Sequence, residues 1–244
     1  MVNRTFERLQ RAYWRSADET RYAWQTQNPV LAPREAELAR RVLVRAGERL
    51  LEIGCGEGAN LHHLREAGAL RVGVDYSSAK TAFARRNTDA QTVTADATRL
   101  PFAGGAFDAV LIRDVLHHIG DVGGVLAEAR RVLKPGGRLT LLEPNRASPF
   151  ILMQAALIPA ERGVLRSTSE ALAATLTRAG FRVTGRGFEH PFPIERVLLH
   201  PSFGLPSLGE HPLVARALGV ADAVARRLLP ERAWMYLVFE ATVP

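Results

Sequence analysis

Between Arg49 and Glu143, short apolar runs alternate with longer stretches whose apolar residues recur at helical spacing. A strand covered on both faces reads as an unbroken apolar run, so this rhythm predicts a parallel α/β sheet flanked by helices. The runs predict strands at Arg49–Ile53, Arg71–Val74, Thr92–Ala95, Ala109–Ile112 and Arg138–Leu142, a sixth at Phe181–Thr184 and a last at Trp234–Ala241. Helices fall between them. One starts near Glu57, one follows the N-cap candidates Ser77 and Ser78, and one begins after Asp121 and ends before the Lys134-Pro135-Gly136-Gly137 stop. Another opens at Ser169 with Glu170, continues through Arg178 and ends at Gly180.

Residues 1–46 precede this rhythm and read as a helical cap carrying Tyr13, Trp14, Tyr22 and Trp24, with breaks at Asn28-Pro29 and Ala32-Pro33. The main domain is then 47–244, with apolar insertions at 145–168 and 189–232 that exceed ordinary connections. The second insertion is rich in Pro, Leu and His. The cap and this insertion either close as a lid over a bound molecule or complete the core or a homodimer interface.

The first strand drops directly into Gly54-Cys55-Gly56-Glu57-Gly58. Alternate glycines permit positive φ and close approach of backbone to a ligand, and the following helix presents free N–H groups. Gly54, Gly56 and Ala59 also satisfy a dinucleotide-binding fingerprint, with Asp75 near its expected acidic position. The turn alone therefore leaves the ligand open.

Composition narrows the classes. The chain has 244 residues, 47% hydrophobic, enough for one large domain with a substantial core. It shows no targeting leader and no membrane-spanning run, which makes a cytoplasmic protein the expectation. Cys55 is the single cysteine, so intramolecular disulfides and multi-cysteine zinc patterns are excluded. His62, His63, His117, His118, His190, His200 and His211 lack zinc-type acid spacing, and no metal is expected. The net charge of +7 comes from arginines scattered among acids, without the basic stripe a nucleic-acid partner requires.

The series Glu52-x-Gly54-x-Gly56-x-Gly58, Val74-Asp75, Ala95-Asp96-Ala97, Phe107-Asp108-Ala109-Val110 and Leu133-Lys134-Pro135-Gly136-Gly137 resembles class I S-adenosylmethionine-dependent methyltransferases. It is most similar to their small-molecule branch, which includes ubiquinone and menaquinone biosynthesis enzymes. A dinucleotide site has no use for Asp96 or for the Lys134–Gly137 turn. The resemblance implies a Rossmann-like, doubly wound seven-stranded sheet, parallel except for an antiparallel last strand. It implies S-adenosylmethionine as cofactor, S-adenosylhomocysteine as product, and contacts from Glu52, Gly54, Cys55, Gly56, Gly58, Asp75, Tyr76, Asp96, Ala97 and Arg113.

Two of these contacts have a direct physical rationale. A carboxylate at Asp75 offers two oxygens to two ribose hydroxyls, and Asp96 suits the adenine amino group, with Ala97 offering its backbone N–H. Arg21 or Arg113 would help hold the cofactor carboxylate. After the fourth strand, His117 and His118 fall where methyl donor and acceptor meet, with His118 the candidate base and His117 and Tyr22 substrate contacts. The expected reaction is in-line methyl transfer to a small apolar or aromatic acceptor such as a quinone, polyketide or lipid-like precursor. The alternatives are an RNA methyltransferase and a non-catalytic cofactor-binding partner protein.

Overall fold

The computed structural model describes residues 4–42, 44–191, 193–201 and 204–244. Its strands are β1 (Arg49–Ile53), β2 (Leu70–Asp75), β3 (Gln91–Thr94), β4 (Phe107–Arg113), β5 (Leu133–Pro144), β6 (Arg182–Glu189) and β7 (Tyr236–Thr242). They form one sheet in the order 3-2-1-4-5-7-6. β1 to β5 pair in parallel, and β7 runs antiparallel between β5 and β6. The helices are α1 (Arg4–Tyr13), α2 (Glu19–Gln27), α3 (Leu31–Ala39), α4 (Ala59–His63), α5 (Ser78–Asn87), α6 (Val122–Val132), α7 (Pro149–Leu157), α8 (Ser169–Arg178), α9 (Ile194–Leu198) and α10 (Pro212–Leu228).

Strand alternation divides the core between the two faces of the sheet. Leu51, Ile53, Val110 and Ile112 meet Val125 and Leu126 of α6 and Leu172 and Leu176 of α8. Their neighbours Leu50, Ala109, Leu111 and Leu142 meet Leu38 of α3 and Ile151 and Ala155 of α7. Both faces of β1 and β4 are buried, which is why these strands read as unbroken apolar runs. Ser77 and Asp121 cap α5 and α6 as the sequence predicts, accepting from Lys80 N and Gly124 N, whereas Thr168 caps α8.

Two local expectations change. Asn28-Pro29 does separate α2 from α3, with Asn28 Oδ1 accepting from Val30 N at 3.0 Å and Leu31 N at 3.1 Å. Pro33, however, lies in the first turn of α3, where a missing N–H costs nothing, and breaks no helix. Lys134–Gly137 belongs to the start of β5: Gly136 N donates to Val243 O just past β7, so the turn is absorbed into an interior strand. The 189–232 connection contains α9 and the 17-residue α10. No helix among the described residues is long and apolar enough to cross a membrane.

Candidate active site

Strand order reverses between β1 and β4, so their outgoing loops diverge and leave a crevice at the carboxyl end of the sheet. Gly54 leaves β1 at φ 77°, and a Cβ there would lie 2.2 Å from Val115 Cγ2 in the loop after β4. Only glycine lets the two loops pack. Gly56, at φ 50°, has open space on its Cβ side and donates its N–H to Asp75 Oδ2 at 3.0 Å. Gly58 caps α4, whose first residues Ala59 and Asn60 face the same space. The crevice widens into a cavity of about 620 Å³.

Asp75 sits on the cavity wall at the end of β2. Each of its oxygens accepts one backbone N–H, from Gly56 and from Ser77, leaving a further lone pair on each. Burial raises its pKa, against those hydrogen bonds and the charge of Lys80. Glu52 is almost fully buried, with Oε1 accepting from Asn60 Nδ2 at 2.6 Å and Oε2 lacking a protein partner. Burial lifts its pKa to about 8 despite Asn60 and Arg113, so this carboxyl is largely protonated at neutral pH. Asp96 Oδ1 accepts from Thr98, and Oδ2 pairs with Arg11 of α1 at 2.9 Å. Cys55, Tyr76 and Ala97 line the same cavity.

The loop after β4 turns at Asp114, whose φ of 55° is unusual for a residue with a side chain. The next three N–H groups, of Val115, Leu116 and His117, all donate to the Glu143 carboxylate at the end of β5. That carboxylate also holds His117 Nδ1 at 2.7 Å, while His117 Nε2 faces Glu161 at 3.5 Å. Burial disfavours the imidazolium, but the two carboxylates outweigh it and raise the His117 pKa to about 10. His118 behaves oppositely. Burial, then the neighbouring His117 charge and those of Arg21 and Lys80, hold it well below the usual histidine range, and its Nδ1 has no partner. His117, His118 and Glu161 bring their polar atoms within 4.8 Å of one another, an assembly no sequence spacing indicated.

The cavity floor is a buried ion network. Arg113 Nη2 donates to Glu35 Oε2 at 2.6 Å and Nη1 to Asn60 Oδ1 at 2.8 Å. Arg196, from α9, donates to the other oxygen of Glu35. Burial alone would raise the Glu35 pKa, yet Arg113 and Arg196 bring it down to about 2. Tyr236 donates to Asp114 Oδ2 at 2.7 Å, with Arg113 and Arg196 stacked 5.4 and 5.6 Å from its ring.

Residues 10–21 close over the opening. Gln10 Nε2 donates to Ala160 O, Tyr76 OH to Arg11 O, and Asp18 N to Glu57 Oε1. Trp14 lies against His118 with ring centroids 5.1 Å apart, and the Arg21 guanidinium lies 4.9 Å from the Trp14 ring centroid. The sequence-predicted Tyr22 does not line the cavity. Its hydroxyl is spent on His62 and Asn87 O, and its ring packs on Phe83, because α2 turns it toward α5. Gly58 likewise acts through the helix it caps and not through the cavity wall. Missed in the sequence were Glu35, Glu143, Glu161, Arg196 and Tyr236. Only Glu143 carried a signal, as an acid directly after the apolar Leu141-Leu142 pair of a strand.

Residues 51–141 match the family model described as a methyltransferase domain. The chain is 38% identical over 104 residues to a demethylmenaquinone methyltransferase of Corynebacterium kroppenstedtii, covering 43% of this chain and 45% of that one. The chain thus spans less than half the length of that relative. Among solved structures, it resembles a geranyl diphosphate C-methyltransferase from Streptomyces coelicolor, solved with Mg2+, geranyl diphosphate and S-adenosylhomocysteine. That match has a TM-score of 0.67, 15% identity and full coverage of both chains. It also resembles the [4+2]-cyclase SpnF, with a TM-score of 0.60, 22% identity and coverage of 88% and 81%. At such identities the structural likeness is one of fold.

Proposed function

We propose that this chain, which carries a class I S-adenosylmethionine-dependent methyltransferase domain over residues 51–141, transfers a methyl group to a small aromatic or enolic acceptor. The observation that carries the reading is Asp75. It stands at the end of β2 on the cavity wall, with one unused lone pair on each oxygen, beside a glycine turn open to the same space.

When bound, S-adenosylmethionine supplies a methyl group on a positively charged sulfur, which an acceptor atom displaces in line. Asp75 would hold the two ribose hydroxyls. Asp96 and the Ala97 N–H would take the adenine edge, with Tyr76 beside them. Glu52, Arg113 and the N–H groups at the start of α4 would hold the amino-acid end, through the backbone of Gly54, Cys55 and Gly56. The fit is chemical: an unpartnered buried Glu52 oxygen suits an ammonium donor, and Gly56 leaves room where any other side chain would intrude.

Alignment is the chain's main contribution, since proximity and orientation account for about 7–11 kcal/mol of barrier lowering in well-positioned reactions. Trp14, Ile119 and Met235 give the cavity apolar surface for a ring, and the cap excludes water. His118, kept neutral by its surroundings, would accept a phenol or enol proton as the methyl group arrives. The neighbouring His117 would steer the acceptor from its fixed position between Glu143 and Glu161. The demethylmenaquinone methyltransferase relative supports an apolar aromatic acceptor.

The test is transfer of labelled methyl from S-adenosylmethionine to a panel of alkylated hydroquinones and phenols, with bulk tRNA alongside. Label in the small-molecule fraction is expected. Label confined to RNA would overturn the acceptor class.

A further inference from the structure

Helix α10 buries only one side. Leu218 and Ala225 pack inward, with Leu218 joining Val30 and Leu199, while Leu213, Val220, Val224 and Leu228 are 70, 58, 48 and 75% exposed. Ala217 is exposed with them. At ~100° per residue these five positions fall within an arc of about 80°, so they form one continuous apolar stripe along the helix and not scattered surface residues. Monomeric proteins seldom leave such a stripe uncovered.

Charge indicates what covers it. Arg216 and Arg227 are exposed, and the same helical angles put both on one edge of the stripe. Neither makes an ion pair among the described residues. The only acid of the helix, Asp222, points away from this face and is bonded to Arg226 at 3.0 Å. A second copy of the chain would bring a second pair of arginines and no carboxylate of this helix to meet them. A surface of apolar chains beneath anionic phosphates satisfies both halves at once.

We propose that α10 is an interfacial helix that seats this protein on an anionic lipid bilayer. The Leu213–Leu228 stripe enters the boundary between headgroups and acyl chains, and Arg216 and Arg227 engage lipid phosphates. The helix lies in the same 189–232 connection as α9, which supplies Arg196 to the cavity floor, so membrane seating and the cavity are joined through one connection. Such seating is independent of the identity of the acceptor.

The test is co-sedimentation of the full chain with sucrose-loaded vesicles of phosphatidylcholine containing about one quarter phosphatidylglycerol, against pure phosphatidylcholine. Binding should favour the anionic vesicles and weaken with salt. R216Q with R227Q should reduce partitioning about fivefold per arginine on anionic vesicles, with little effect on neutral ones. V220S with V224S should reduce it on both. These side chains are exposed, so circular dichroism and the unfolding midpoint should be unchanged, which separates lost docking from lost folding. Sedimentation that is equal with and without vesicles would overturn the proposal. So would a dimer in size-exclusion chromatography that V224D converts to monomer and that shows no vesicle binding.

Discussion

At the end of β2, Asp75 already accepts two backbone N–H groups and still has acceptor capacity, whereas Glu52 behind it is buried with one oxygen unpartnered. The two acids therefore respond differently to pH. Glu52 is neutral below about pH 8 and ionised above it. If it receives the cofactor's ammonium, affinity for S-adenosylhomocysteine should rise as pH passes upward through 8, and Glu52→Gln should flatten that rise in calorimetric titrations. At the acceptor end, His118→Gln should lower kcat by about 100-fold or more with cofactor affinity unchanged, the range general bases supply. A kcat unchanged across acceptors would remove His118 from proton transfer. That Glu52 and Asp75 stand on one cavity wall was legible because they lie in adjacent strands around the glycine turn. Tyr22 was misjudged because an aromatic in an amphipathic helix gives no indication of which neighbour it will face.

The elements holding the acceptor end were much less legible. Glu35 on α3 joins Arg113 at the end of β4 to Arg196 on α9, and no spacing connects residues 35, 113 and 196 before the chain folds. Breaking such a triad leaves buried guanidinium charge uncompensated. Glu35→Gln should cost about 3–5 kcal/mol in urea unfolding, whereas replacing an exposed glutamate such as Glu66 should change little. Gly163 shows the same dependence on tertiary packing. A Cβ there would meet His117 O at 1.7 Å, so Gly163→Ala should destabilise by about 3 kcal/mol and displace Glu161 from His117. The sheet itself was readable because β1 and β4 are covered on both faces. Pro33 was misread because proline breaks a helix only beyond its first turn.

For the whole molecule, the buried His117 links fold stability to pH. Its pKa is about 10 in the folded chain against an ordinary 6.5, so the charged form is favoured by folding. That stabilisation is complete below pH 6.5 and disappears as pH rises through 10. The stability difference between wild type and His117→Asn, measured by denaturant unfolding, should therefore narrow steadily over this window. The network also ties the loop after β4 to β5 and to the segment carrying Glu161, so the acceptor side should loosen first in alkali. Cofactor binding, by contrast, is expected in the crevice between β1 and β4. Isothermal titration of S-adenosylhomocysteine into wild type and Asp75→Ala tests it most directly. One site is expected in the wild type and about 100-fold weaker binding in the folded variant, from two charge-assisted hydrogen bonds lost. No binding by the wild type, or equal binding by both proteins, would contradict it.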